Sequence, residues 1–193
     1  MNWIDHTATR IAKVIRENYE SAASEKVLYY ALSLLINTST AIFLTLIIAF
    51  FTNHLLNAII AVISFLLIRN ISGGFHLRSS LACCVFSTIL LITFTHSTYK
   101  FTYLGYFFNF ISLLIMLFKA PFGIENFSKI QKKHYPYLKI IAVLAVTSNF
   151  FIQSSLLASV YIGQSLTLST LVYKLVTRLE GSFYGEKENC KIC

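Results

Sequence analysis

A chain of 193 residues with 56% hydrophobic and only 12% charged residues departs from soluble domains, where about a quarter of residues carry charge. The mean hydropathy of +0.67, with only seven Gly and two Pro, excludes a soluble or turn-rich β protein and predicts an all-α integral membrane protein. The net charge of +8 sits between apolar segments and at the chain ends, which points to an anionic membrane surface as partner and not to nucleic acid.

Residues 1–26 are patterned for an amphipathic helix. Ile4, Ile11, Val14, Ile15 and Tyr19 share one helical face, with Arg10, Lys13, Arg16 and Glu17 largely elsewhere. Such a helix either lies on the inner membrane surface or packs against the protein's own cytoplasmic face. Asp5 and Glu20 fall here with no short apolar core and cleavage site behind them, so no removable signal peptide is expected.

Six hydrophobic segments follow, near 27–51, 54–68, 81–97, 103–118, 138–153 and 156–176. They predict about six transmembrane helices in a polytopic domain over 27–176, followed by a cytoplasmic tail over 177–193. Several fall short of the roughly 20 residues that cross a bilayer upright. Segment 54–68 could therefore be re-entrant, and the short helices are compatible with a homodimer. The last two segments form one apolar run, divided between Asn149 and Ser155. With both termini cytoplasmic, every Lys and Arg except Lys100 falls inside, which favours an even number of crossings.

The four cysteines, at 83, 84, 190 and 193, do not form a disulfide framework. Cys190 and Cys193 make a lone C-x-x-C that reads as a structural zinc corner or, more plainly, as a reduced cytoplasmic tail. No metal and no cofactor is expected.

Chemistry concentrates in the cytoplasmic loop 69–84, RNISGGFHLRSSLACC. His76 and Cys83 are a candidate base and a candidate nucleophile, since a thiol attacks as its thiolate and a nearby imidazole takes the proton. On one continuous helix they would stand about 10.5 Å apart along the axis, so a dyad requires a break between them. Gly73-Gly74 allow the chain to fold back. Ser79-Ser80 precede the third segment, and with Ser80 as N-cap Cys83 lies in the first helical turn, where the helix dipole favours a thiolate. Arg69 and Arg78 would add to that field. Cys84 points about 100° away and reads as a packing residue. Ser72, Asn70 and Asn57 are candidates to orient His76, and no acidic residue lies nearby in the sequence.

The pattern Arg69-x4-Gly74-x-His76-x6-Cys83, between the second and third hydrophobic segments of a basic polytopic chain of this length, resembles the accessory gene regulator B (AgrB) family. The later loop 119–139, with Ala120-Pro121 and then Lys129, Lys132 and Lys133, is similar to that family's proline and basic loop. The resemblance implies a multi-pass cell-membrane cysteine endopeptidase of Gram-positive bacteria that trims the carboxyl-terminal part of a small AgrD-like propeptide to make a cyclic quorum-sensing signal. It implies Cys83 as nucleophile, His76 as general base and acid, and Arg69 and Gly74 as supporting positions on the cytoplasmic side. Pro121, Lys129, Lys132 and Lys133 become candidates to bind the acidic tail of the propeptide, beside their plain role as anionic-lipid anchors. The alternative class is a non-catalytic membrane exporter or scaffold for a small peptide.

Overall fold

A computed structural model describes residues 2–75, 77, 79–124, 131–170, 172–176 and 178. Helices dominate: α1 (Trp3–Asn18), α2 (Glu25–Phe51), α3 (Leu55–Ser72), α4 (Ser80–Thr95), α5 (Tyr103–Lys119), α6 (Tyr135–Ile152) and α7 (Ser155–Leu166), with a 3-10 turn at Lys132–His134 leading into α6. Among the described residues there is no β-strand, only a single bridge between Gly73 and Phe122. The helices form two compact units: α1, α2 and most of α4 in one, most of α3 with α5, α6 and α7 in the other.

In the first unit α1 packs along α2. Asn2 caps α1 by accepting the Asp5 amide at 3.0 Å, and Asp5 places its charge in the first turn, where the helix dipole favours it. Ile4, Ala8 and Ala12 are fully buried, while Trp3, Ile11 and Val14 on the adjoining arc stay exposed. The apolar face read from the sequence is thus split. Ile4 of that face covers the protein and Ile15 is half-buried, whereas Ile11, Val14 and Tyr19 are open, with Arg10 and Lys13 exposed beside them.

The long α2 buries a stripe of small and polar residues, Ser33, Asn37, Ala41, Thr45 and Ala49. It exposes Leu35, Phe43, Phe50 and Phe51. This arrangement, small residues inward and large apolar ones outward, is the signature of helices packing in lipid, where hydrocarbon solvates the outer face and close backbone approach supplies the attraction. In α5 of the second unit, Gly105, Asn109, Ser112 and Met116 likewise face inward.

Among the described residues, three helices are long and apolar enough to cross a membrane: Glu25–Phe51, Leu55–Ser72 and the run Lys132–Ile152. The second of these takes in most of the short segment 54–68 and extends it to Ser72, a length that crosses a membrane. α4 and α5 are apolar but have 16 and 17 residues, about 25 Å of helix against a core of about 30 Å.

The run predicted over 156–176 is not one helix. α7 has 12 residues, residues 167–169 leave helical geometry, and helix resumes at Thr170 and over 172–176. The division from α6 falls within the expected window: Gln153 adopts a left-handed φ of 56° and Ser154 caps α7 by accepting the Leu157 amide. Asn149 accepts the Ser154 amide at 3.0 Å and donates to Asn109 Oδ1 at 3.2 Å, while Asn109 donates to the Val146 carbonyl at 3.0 Å. Both amides are fully buried, and these bonds satisfy their polar groups and tie α6 to α5. α7 is buried around most of its circumference. A Cβ on Gly163 would stand 2.3 Å from the Phe94 ring.

Candidate active site

The head of α4 carries the candidate nucleophile. Ser79, not Ser80, caps this helix: the Ser79 hydroxyl accepts the Ala82 amide at 3.4 Å and its carbonyl accepts the Cys83 amide at 3.0 Å. Ser80 becomes the first helical residue, and Cys83 closes the first turn instead of sitting within it. Ser80 donates its hydroxyl proton to Asp5 Oδ1 at 2.7 Å. Because a hydroxyl has one proton, the 2.9 Å contact between Ser33 and Ser80 is then a donation from Ser33. Tyr29 donates to the same Asp5 oxygen at 3.0 Å. A carboxylate distant in sequence therefore stands one helical turn before Cys83, where the sequence shows no acidic neighbour.

The two adjacent thiols differ in surroundings. Cys84 packs in a cluster with Ile4 and Ala41, with Ile36 against it. Cys83 is 8% exposed and Cys84 4%, and neither is in a disulfide.

The turn that precedes the candidate base belongs to the second unit. Gly73 and Gly74 both have positive φ, 77° and 135°, conformations that side chains resist. Space forbids a side chain as well: a Cβ on Gly73 would stand 2.1 Å from the Phe122 carbonyl oxygen, and one on Gly74 2.7 Å from the Thr167 hydroxyl. Nearly every peptide group here is tied. The Phe122 amide donates to the Ser72 carbonyl at 3.0 Å, the Gly74 amide to the Phe122 carbonyl at 2.9 Å, the Gly73 amide to the Arg69 carbonyl at 2.8 Å and the Phe75 amide to the Thr167 carbonyl at 3.1 Å.

Side chains complete this set. Arg69 donates to the Phe75 carbonyl at 3.0 Å and lies 5.8 Å from the centre of the Phe65 ring. Gln164 of α7 donates to the Ser72 hydroxyl at 2.9 Å and to the Gly73 carbonyl at 2.6 Å. Arg69, expected as a source of positive field, acts here as a tether of the backbone. Ser72, expected among the groups that orient the base, spends its hydroxyl on the Ile68 carbonyl and on Gln164. Pro121 adjoins Phe122 and so belongs to the loop that brackets the turn. Lys132 and Lys133 are exposed on the 3-10 turn before α6. His76, Arg78, Lys129, Cys190 and Cys193 lie outside the described residues. No group of His, Cys, Asp or Glu among the described residues could hold a metal ion.

Gln164 and Asp5 are the two residues at these segments that sequence reading missed. One signal was available for Gln164, a lone amide in a helix whose other residues are apolar or small.

All-helical architecture, inward-facing small residues and apolar outer surfaces define a membrane protein. A family model, accessory gene regulator B, matches residues 8–177, and the chain belongs to the AgrB family. That family takes part in peptidase-like processing of the quorum-sensing peptide and has an AgrD-like propeptide as its partner. No curated protein and no solved structure matches this chain.

Proposed function

We propose that this protein is a membrane cysteine endopeptidase that removes the carboxyl-terminal part of its propeptide through a Cys83 thioester and promotes closure of the remainder to a cyclic signal. The observation that carries the reading is a family match whose span contains the whole pattern from Arg69 to Cys83. Its chemistry follows from the residue types. His76 takes the thiol proton, the Cys83 sulfur attacks the scissile carbonyl, and the carbon–nitrogen bond breaks as His76 returns the proton to the departing amine. A cysteine thiol within the bound propeptide then attacks the thioester, releasing Cys83 and closing a thiolactone; a serine there would close a lactone. Exchange of one thioester for another is nearly balanced in energy, so the step needs no energy source beyond the acyl-enzyme. Water has to be kept from the acyl-enzyme to avoid a linear product, and the burial of Cys83 supports that requirement.

In this reading the site faces the cytoplasm, both termini are inside and six segments cross the bilayer, as the charge distribution favours. Lys129, Lys132 and Lys133 attract the acidic tail of the propeptide, and the exposure of Lys132 and Lys133 supports such a contact. The test is reconstitution in liposomes with the propeptide, followed by mass spectrometry for a thiol-labile adduct on Cys83. Cys83→Ala and His76→Ala are both expected to abolish cleavage; cleavage that survives both substitutions overturns the assignment.

A further inference from the structure

Two other helices of the first unit hold the first turn of α4, at two of its positions. Ser80 donates to Asp5 Oδ1 at 2.7 Å and accepts from Ser33 at 2.9 Å. One turn further on, Cys84 packs with Ile4 and Ala41. Ile4 and Asp5 are consecutive residues of α1, so the start of that helix grips α4 both before and after Cys83.

Successive helical residues turn by about 100°, which puts Cys83 and Cys84 about 60° and 40° to either side of the Ser80 direction. Which of the two thiols faces the α1–α2 contact, and which lies beside it, is therefore set by the rotation of α4 about its own axis. The apolar part of the contact holds that rotation loosely. Ile4, Ile36 and Ala41 attract without direction. The bond from Ser80 to Asp5 does have direction, because a hydrogen bond weakens steeply away from its preferred distance and angle. A carboxylate shielded between helices is weak material for stability, and the best-attested use of such a group is to fix register.

We propose that Asp5 is a positioning residue for the nucleophile: by holding Ser80 it sets the rotation of α4, and with it the direction of the Cys83 thiol. This rests on the reading of Cys83 as nucleophile given above. Tyr29 donates to the same carboxylate oxygen without touching α4 through that bond, so it supplies a control of similar chemistry.

The test uses the full-length protein in lipid nanodiscs and two readouts. One is kcat and KM for propeptide cleavage. The other is the partition of iodoacetamide label between Cys83 and Cys84, read by tandem mass spectrometry. Ser80→Ala removes the link from the α4 side and leaves the Asp5–Tyr29 bond in place. It is expected to lower kcat roughly tenfold, since a misplacement of about 1 Å can cost a hundredfold. KM should be unchanged, and label should move from Cys83 to Cys84. Asp5→Leu is expected to do the same, and to add nothing in the Ser80→Ala background. Asp5→Asn keeps an oxygen acceptor and is expected to restore most of the loss. Tyr29→Phe should lower the thermal midpoint yet keep wild-type kcat and partition.

Wild-type kcat in Ser80→Ala, or a fall in kcat with an unchanged partition, overturns the positioning role and leaves Cys83 standing as nucleophile. So does a loss in Tyr29→Phe equal to that in Ser80→Ala, because activity would then follow stability and not the link to α4. Cleavage that survives Cys83→Ala sinks the nucleophile reading, and the positioning role with it. Should Asp5→Leu fail to accumulate, Ser80→Ala decides alone.

Discussion

The head of α4 and the Gly73–Gly74 turn are both fixed by hydrogen bonds, but with different materials. At α4 the bonds run between side chains: Ser80 and Tyr29 meet at one oxygen of Asp5, with Ser33 on Ser80. At the turn, peptide meets peptide across the Gly73–Phe122 bridge, with Arg69 and Gln164 filling what remains. A side-chain network degrades in steps, because each member can be removed without moving the backbone. A close backbone approach does not, because any added Cβ meets an atom that cannot rotate away. The segment bearing the candidate nucleophile should thus tolerate graded change, and the segment leading to the candidate base should not.

The largest effect is expected at Gly73. Alanine there combines a left-handed φ with a Cβ placed 2.1 Å from a carbonyl oxygen, a cost of about 3 kcal/mol or more. Gly73→Ala should lower the thermal midpoint in detergent and abolish propeptide cleavage; cleavage at wild-type rate would remove the contrast between the two segments. Next is Arg69. Replacing it with Met leaves the Phe75 carbonyl without this donor, at about 1–3 kcal/mol. Arg69→Lys keeps the charge and loses the planar fork. If lysine restores full cleavage, the arginine works as a field and not as a tether.

At the head of α4, Asp5→Ala strands two hydroxyls and is expected to cost about 1–3 kcal/mol, against about 0.5–1.5 for Tyr29→Phe, which removes a single donor. Chemical denaturation of the two variants side by side tests this ordering, and a larger loss in Tyr29→Phe would contradict it. The smallest effect on activity is expected for Cys84→Ala. It trims a packing contact with Ile4 and Ala41, costs about 1 kcal/mol and leaves cleavage within the scatter of the assay. Loss of cleavage in this variant alone would move the nucleophile to the neighbouring sulfur.

Much of the architecture was legible from residue order. The α6–α7 division fell between Asn149 and Ser155 because an apolar run broken by Asn, Gln and Ser has one natural place to turn. The interruption at 167–169 was not legible. No Pro or Gly marks it, and its cause is distant: Thr167 and Gln164 turn toward residues 72–75. Ser79 and Ser80 are equally good caps by type, and residue type alone does not decide between them. The helical periodicity of α1 was legible, but most of the face drawn from it is open: Ile11, Val14 and Tyr19 are exposed, and the buried stripe is Ile4, Ala8 and Ala12. Which residues of α1 are covered depends on α2, which local periodicity does not encode.

By itself the sequence determined the class of protein, the course of its apolar segments and the pattern that marks the family, because hydropathy, charge and motif spacing are properties of neighbouring residues. Only the tertiary structure decided which groups hold the functional segments. Arg69 as a backbone tether, Asp5 beside Ser80 and Gln164 beneath Gly73 each depend on contacts between helices. Such contacts are set by close approach and by the need to satisfy buried polar groups, and no local pattern records them.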